Sequence, residues 1–488
     1  MRRLALLLLC ALASATTVAV AQSAGSDLPD IGNPAGELIT GNDEYQLGAM
    51  IVRQMRDQNQ LVDDPEVTEY VQTVGQRLSA QAQEGGQRFK FFVVKDSSIN
   101  AFALPGGFIG VNYGLVLATK NESELASVLA HEIAHVTQRH IARTINAQSR
   151  QSLANAAAIL AAILVGAAVG GDGVQGAIAA SQGLAAQQQI NFTRANEYEA
   201  DRVGISFLAA AGFDPQAMPA FFETMGRRSG LAGMYVPEMI QSHPVTTNRI
   251  AESRSRASQY ETPRNMESSS YLLVRERLKH ITVRDDIEAR NVVVNDDEDP
   301  AAKTDLGKRY GEALSLMTAG KNQQAAKILS ALIQKYQGLT MLWSALGQAE
   351  VAGGLQNDGL STFAHALQIF PRNVPLSVRY AEALIAAGRG KEAHTLLLDL
   401  FNNVPPTPSE IRLTALAANN AGDTGDSYYY MGEYHIASGD LQLAVQQLDL
   451  ALNAPNLTDV QRQRYRARRD EIREYLSTVN LRRVSNSR

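Results

Sequence analysis

The sequence predicts a mainly α-helical chain with a small β-sheet: an α+β domain first, then an all-α solenoid. Three observations predict this. A helical stretch, Leu125 to His140, contains His131-Glu132-Ile133-Ala134-His135. Two short β-prone runs separated by Pro105-Gly106-Gly107 precede it. A 34-residue period runs through the chain from about Lys303 onward.

Length and composition bound the reading. A chain of 488 residues is long enough for two or three domains with real cores. Hydrophobic content of 45% against 19% charged residues describes a globular protein rather than a disordered one. A net charge of −5 argues against a dedicated nucleic-acid binder. The basic cluster Arg462, Arg464, Arg466, Arg468 and Arg469 is interleaved with acids from Asp470 on, as on a solvated helix face.

Residues 1–21 read as an export signal. Arg2 and Arg3 supply the charge, Leu4 to Leu12 the apolar run, and Ala19-Val20-Ala21 the cleavage site before Gln22. An uncleaved membrane anchor is the alternative. The single cysteine, Cys10, lies inside this segment. The mature chain then has no thiol, which suits an oxidising compartment and excludes both thiol catalysis and a cysteine-bound zinc.

Residues 22–41 form a linker. Helical patterns follow at Asp43 to Asp57 and Asp64 to Gln81, then a β-prone run at Phe89 to Val94. The stretch Asn100 to Asn112 forms two strands about the Pro-Gly-Gly turn. It is expected to offer Ala101, Phe102, Ala103, Gly107, Ile109 and Val111 as an open edge to extended substrate, which would pair by backbone hydrogen bonds. A plain structural hairpin is the alternative.

The helix that follows starts at Asn121, with Glu124 three residues on, as in a capping box. No Pro or Gly interrupts the chain from Glu122 to Arg150, which supports a helix through the stretch Leu125 to His140. On it, His131 and His135 lie about 40° apart on one face, one turn apart. Two imidazoles so placed can grip one Zn²⁺, and Glu132 beside them is placed to take a proton from a water that the ion acidifies.

A third protein ligand is required. Glu197 and Asp201 are i and i+4 on a second helical stretch and share a face, whereas Glu199 points elsewhere. On a continuous helix His140 is rotated by about 140° from His135, away from the ion. The other common zincin pattern needs Gly and His where Gln138 and Ile141 stand. Glu197 is therefore the expected ligand, and Asp201 the group that accepts an imidazole N–H. The Ala/Gly-rich stretch Leu153 to Leu184 admits three readings: a buried helical hairpin, a membrane-touching loop, or a mobile lid, which is the reading adopted here.

His131-Glu132-x-x-His135, the preceding Asn100-Ala-Phe-Ala-Leu-Pro-Gly-Gly, and Glu197-x-x-Ala200-Asp201 together resemble the zinc peptidase family of the CAAX prenyl protease and the HtpX heat-shock protease. The similarity covers roughly Asn42 to Arg254. It implies a zincin-type metallopeptidase domain at 42–255, with one Zn²⁺ on His131, His135 and Glu197 and with Glu132 as catalytic base. His243-Pro244-x-x-x-x-Arg249-Ile250 also resembles the family. That implies His243 as a regulatory fourth ligand and Arg249 as a catalytic group steadying either the oxyanion or the site itself. A loop histidine before a helix is the plainer reading of His243. This chain lacks the several transmembrane helices of the membrane-embedded members. With an export signal and a repeat tail it resembles the family's periplasmic branch. That implies cleavage of unfolded or misassembled outer-membrane β-barrel proteins, work beside the barrel-assembly machinery, and peripheral membrane contact. The alternative is a chaperone or assembly factor that binds through its repeats while His243 represses proteolysis.

Residues 256–302 are expected to hold a connecting helix, Tyr271 to Ile281, and an acidic loop. Beyond it Gly320, Gly354 and Gly388 are each 34 residues apart, as are Pro371 and Pro405. Ala325 and Ala393 follow the first and third glycine by five residues, while Gly359 departs from the pattern. Gly439 and Ala444 are expected to restart the pattern after an insertion of about 17 residues. This is the tetratricopeptide (TPR) period, and it predicts a solenoid over 303–478 with a concave binding face, followed by a tail at 479–488.

Overall fold

A computed structural model describes residues 40–82, 88–143, 194–231, 239, 242–262, 268–282 and 304–486. The export signal, the Ala/Gly-rich stretch and the acidic loop lie outside these residues. The first part is built from α1 (Gly41–Asp57), α2 (Pro65–Ser79), β1 (Lys90–Val94), β2 (Ala101–Leu104), β3 (Phe108–Asn112), α3 (Tyr113–Ala118), α4 (Glu122–Thr137), α5 (Arg194–Ala210), α6 (Ala217–Leu231) and α7 (Thr247–Ala257).

The three strands lie in the order β1-β3-β2, with β1 parallel and β2 antiparallel to β3. The turn between β2 and β3 needs glycine twice. Gly106 and Gly107 have φ of 78° and 85°, and a Cβ on Gly107 would sit 2.3 Å from the Arg88 carbonyl oxygen. α2 covers one part of the sheet through Val67, Val71, Val74 and Leu78, all buried. α4 is enclosed all round, with every residue from Ser123 to Val136 buried, the polar Glu124, His131, Glu132 and His135 among them.

The expected edge requires a correction. β3 is paired on both sides, so Ile109 and Val111 spend their backbone groups inside the sheet, and Gly107 lies in the turn. Of the residues expected at the edge, Ala101, Phe102 and Ala103 lie on β2, which is an outer strand. Asn112 N–H donates to the Asn100 carbonyl, and hydrogen-bonded pairs alternate in an antiparallel ladder. The backbone groups of Ala101 and Ala103 therefore face away from β3.

The connecting helix, α8 (Ser269–Thr282), is packed deep between the two halves. Its Tyr271 hydroxyl donates to the Thr119 carbonyl at 2.7 Å, and Arg275 donates to the carbonyls of Val116 and Thr119, closing the C-terminal end of α3.

Ten helices follow as five antiparallel hairpins: α9 (Asp305–Thr318) with α10 (Asn322–Lys335), α11 (Thr340–Ala352) with α12 (Gln356–Ile369), α13 (Val374–Ala386) with α14 (Gly390–Phe401), α15 (Pro408–Asn420) with α16 (Thr424–Ala437), and α17 (Leu441–Leu452) with α18 (Asp459–Asn486). Within the hairpins the turns fall at Gly320, Gly354, Gly388, Gly422 and Asn456, all at positive φ and all 34 residues apart. The expected insertion is therefore absent. Gly439 lies half a period out, in a turn between hairpins, and the repeat runs unbroken through Pro405 to Asp426.

The solenoid docks on α2 through buried charge. Arg277 of α8 makes two hydrogen bonds to Asp64, and Arg379 of α13 reaches Asp64 and Glu66. Ser344 of α11 donates to Glu66 at 2.6 Å, and Asn373 donates to Glu69 at 2.9 Å. One hydrophobic core also runs from the sheet through α8 into the first solenoid helices, from Val67 to Tyr310 and Leu342.

Candidate metal centre

Three separate segments converge on one buried point. Asn121 caps α4 by accepting from the Glu124 N–H at 2.9 Å, and this fixes where the helix starts. α5 lies against α4 at close range. A Cβ on Gly204 would meet the Ala130 carbonyl carbon at 3.2 Å. That approach brings Glu197, two turns earlier on α5, up to His131 and His135. The segment before α7 brings in His243.

His131, His135, Glu197 and His243 offer ligand atoms that all lie within 4.8 Å of one another. His131 Nε2 is 2.9 Å from His135 Nε2 and 3.4 Å from His243 Nδ1. The Glu197 carboxylate is 3.5 Å from the Nε2 atoms of His131 and His135 and 3.0 Å from His243 Nδ1. A tetrahedral ion held at about 2.0–2.1 Å sets its donors about 3.3–3.4 Å apart. The observed separations straddle that value, and the donor set is nitrogen and oxygen, as such an ion takes. Among the described residues this cluster alone could hold a metal.

Around these four, His131 Nδ1 lies 3.0 Å from Asp201. Asp201 is in turn held by Arg249, whose Nε and Nη2 each donate to it at 2.8 Å. Arg249 Nη1 meets the Pro244 carbonyl and Glu197, each at 2.8 Å. Its donors are thus turned onto protein groups of the site, in keeping with the second of the two roles expected for it. Phe222 walls the site, with Arg249 stacked 4.9 Å over its ring and His131 edge-on to it. No sequence motif marked Phe222.

The helix expected through Leu125 to His140 instead ends at Thr137. Arg139 takes the left-handed conformation with φ of 52°, and the chain changes direction before a further helical turn at 140–143. His140, expected to point away, lies with its ring against His135 and its Nδ1 2.9 Å from His135 Nδ1. Glu199, on the other side of α5 from Glu197, accepts from Arg143 at 2.8 Å and lies 3.1 Å from His140 Nε2.

Burial shapes the charges. It raises the Glu132 carboxyl above its usual range, opposed by His243, His131 and the Ala103 N–H on the outer side of β2. Burial lowers His135, and His131 and His243 add to that effect. Burial would also lower His131, but the Asp201 and Glu197 carboxylates push it up to about 10. His243 and His131 hold Glu197 well below the usual carboxylate range against its own burial.

A pair of imidazoles one turn apart, a carboxylate brought in by a second helix and a buried glutamate between them define a metallopeptidase of the H-E-x-x-H type. Residues 65–257 match the model of Peptidase family M48, and residues 357–419 match a tetratricopeptide repeat. The chain is 33% identical to the beta-barrel assembly-enhancing protease of Escherichia coli K12, over 92% of this chain and 91% of that one. It is 32% identical to the protein of the same name from Yersinia pestis, over 91% of each. The mitochondrial metalloendopeptidase OMA1 of Schizosaccharomyces pombe is 32% identical over 38% of this chain and 51% of its own length. The chain belongs to Peptidase family M48, in the branch where the peptidase is joined to tetratricopeptide repeats.

Proposed function

We propose that this chain is a periplasmic zinc endopeptidase that cleaves unfolded or misassembled outer-membrane β-barrel proteins beside the barrel-assembly machinery. The observation that carries the proposal is the convergence of His131, His135 and Glu197 on one buried point, with Glu132 next to it. When bound there, zinc supplies Lewis acidity, which polarises a scissile carbonyl and lowers the pKa of water. Glu132, raised by burial, takes the water proton and returns it to the leaving amine. Asp201 holds His131 in the tautomer that faces the ion, and Arg249 acts as a positioning residue that ties Asp201, Glu197 and the Pro244 carbonyl together. Extended substrate pairs with the outer side of β2, alongside Glu132. Unfolded barrel strands, rich in unpaired backbone groups, fit such a site. The names of the two long relatives support the choice of substrate.

His243 supports a second role. Its Nδ1 lies 3.0 Å from Glu197 and 3.4 Å from His131 Nε2, while its Nε2 lies 3.6 Å from Glu132 Oε1. Its own segment also covers one end of β2, where Met239 N–H donates to the Ile99 carbonyl. In this state the protein binds clients through its solenoid and acts as an assembly factor with cleavage repressed.

Two variants test these roles. Glu132→Gln keeps zinc and loses cleavage of casein and of a misassembled barrel protein. Cleavage that persists with zinc bound contradicts the mechanism. His243→Ala gains cleavage, and unchanged activity removes the repressive role.

A further inference from the structure

We infer that His140 is a positioning residue for the metal centre: it fixes His135 in the tautomer whose Nε2 lone pair faces His131, Glu197 and His243. The inference rests on the metal site proposed above. It concerns a residue that helical spacing alone had turned away from the ion.

The argument is one of proton direction. The 2.9 Å separation of the two Nδ1 atoms requires one of them to carry the hydrogen. The other ring nitrogen of His140, Nε2, lies 3.1 Å from a Glu199 oxygen. An ionised carboxylate only accepts, so His140 carries its proton on Nε2 and donates to Glu199. Arg143, 2.8 Å from the same oxygen, keeps Glu199 in its acceptor form. His140 Nδ1 is then an acceptor, and the shared hydrogen belongs to His135 Nδ1. A neutral imidazole with hydrogen on Nδ1 presents a lone pair at Nε2, which is the atom that faces the other ligands.

The two ligand imidazoles are thus oriented by different means. His131 Nδ1 lies directly against a carboxylate, Asp201, at 3.0 Å. His135 donates to a carboxylate through an intervening imidazole. The backbone builds this relay at some expense, because Arg139 must adopt φ of 52° for the chain to change direction. Its guanidinium is anchored by Glu44 of α1 at 3.0 Å. Without that change of direction His140 would continue along the helix and leave His135 Nδ1.

The test is chelator competition for Zn²⁺ on the full chain, with His140→Leu, His140→Asn and Glu199→Ala. Removing a group that orients a metal-bound histidine costs about 10–100-fold in affinity, and His140→Leu is expected to fall in that range. Asn places an acceptor oxygen near the former Nδ1, so His140→Asn is expected to hold zinc close to wild type. Glu199→Ala removes the anchor without touching the buried rings, so it serves if His140→Leu fails to fold. It is expected to fall between the other two. The d–d absorption of the Co²⁺-loaded protein is expected to shift in His140→Leu and not in His140→Asn. Zinc affinity unchanged in His140→Leu or in Glu199→Ala overturns the inference, as does a loss in His140→Asn equal to that in His140→Leu. A wild-type chain that binds no zinc overturns the underlying metal site instead, and the two failures are therefore distinct.

Discussion

The solenoid and the metal centre are built on opposite principles. In the solenoid each hairpin buries small and aliphatic residues such as Ala325, Leu329, Ala393 and Leu397 on its neighbour, and the same spacing serves five times. In the centre almost nothing is local. His131, Glu197 and His243 are far apart in sequence, and His131, His135 and Glu197 are each held by a further partner. Repetition spreads stability over many equivalent contacts, whereas convergence concentrates buried charge in one place. Substitutions in the centre, and at the buried ion pairs that join the two regions, should therefore cost far more than those in a solenoid turn.

The largest loss is expected at the joint. Arg277→Ala leaves Asp64 and Glu66 buried with half their compensation, and breaking such a pair costs about 3–5 kcal/mol. Urea unfolding followed by tryptophan fluorescence reads it through the single tryptophan, Trp343, on α11. A change under about 1 kcal/mol would mean that the joint is held by the apolar core alone.

Next in size is Asp201→Ala. It leaves His131 without its carboxylate and Arg249 without its bidentate partner, so zinc affinity should drop by about 10–100-fold. Chelator competition measures it. Affinity equal to wild type would show that the ligand rings are set by packing.

The joint also carries a pH dependence with two limbs. Glu66 is buried, but Arg277 and Arg379 hold it at about 2, against 4.5 for a free glutamate. Its contribution is therefore full above 4.5 and lost as pH falls toward 2. Glu69 goes the other way: burial, opposed by Asn373, raises it to about 7. Its contribution is full below 4.5 and lost as pH rises through 7. Glu69→Gln should accordingly raise Tm at pH 8 and leave it nearly unchanged at pH 5, as read by calorimetry. An equal shift at both pH values would contradict the assignment.

The smallest effect is expected in the solenoid. Gly388 has φ of 72°, and a Cβ there meets nothing within 4 Å. Gly388→Ala should cost about 1 kcal/mol, all of it backbone strain, with no change in zinc binding.

The same contrast decides what the sequence reveals. Period and helix spacing are local quantities, so the solenoid, the His131–His135 pair and the shared face of Glu197 and Asp201 were all legible. Gly422 was overlooked, and with it the unbroken period. The signal was present in its spacing of 34 from Gly388. Strand order is not local. Nothing in Phe108 to Asn112 says that it lies between two other strands, so an interior strand was read as an edge. The change of direction at Arg139 was hidden for a different reason. A left-handed turn usually announces itself by Gly or Asn, and here an arginine takes that conformation, tethered by a contact to Glu44. His140 stays outside the four ligands, as expected, and its unforeseen contact with His135 follows from that one residue.

X-ray absorption at the zinc edge, on protein purified without chelators, tests the central claim most directly. It should show one zinc per chain, with two or three imidazole nitrogens and a carboxylate oxygen in the first shell, and Glu197→Ala should lose that oxygen. Protein without stoichiometric zinc, or a Glu197→Ala spectrum identical to wild type, would contradict it.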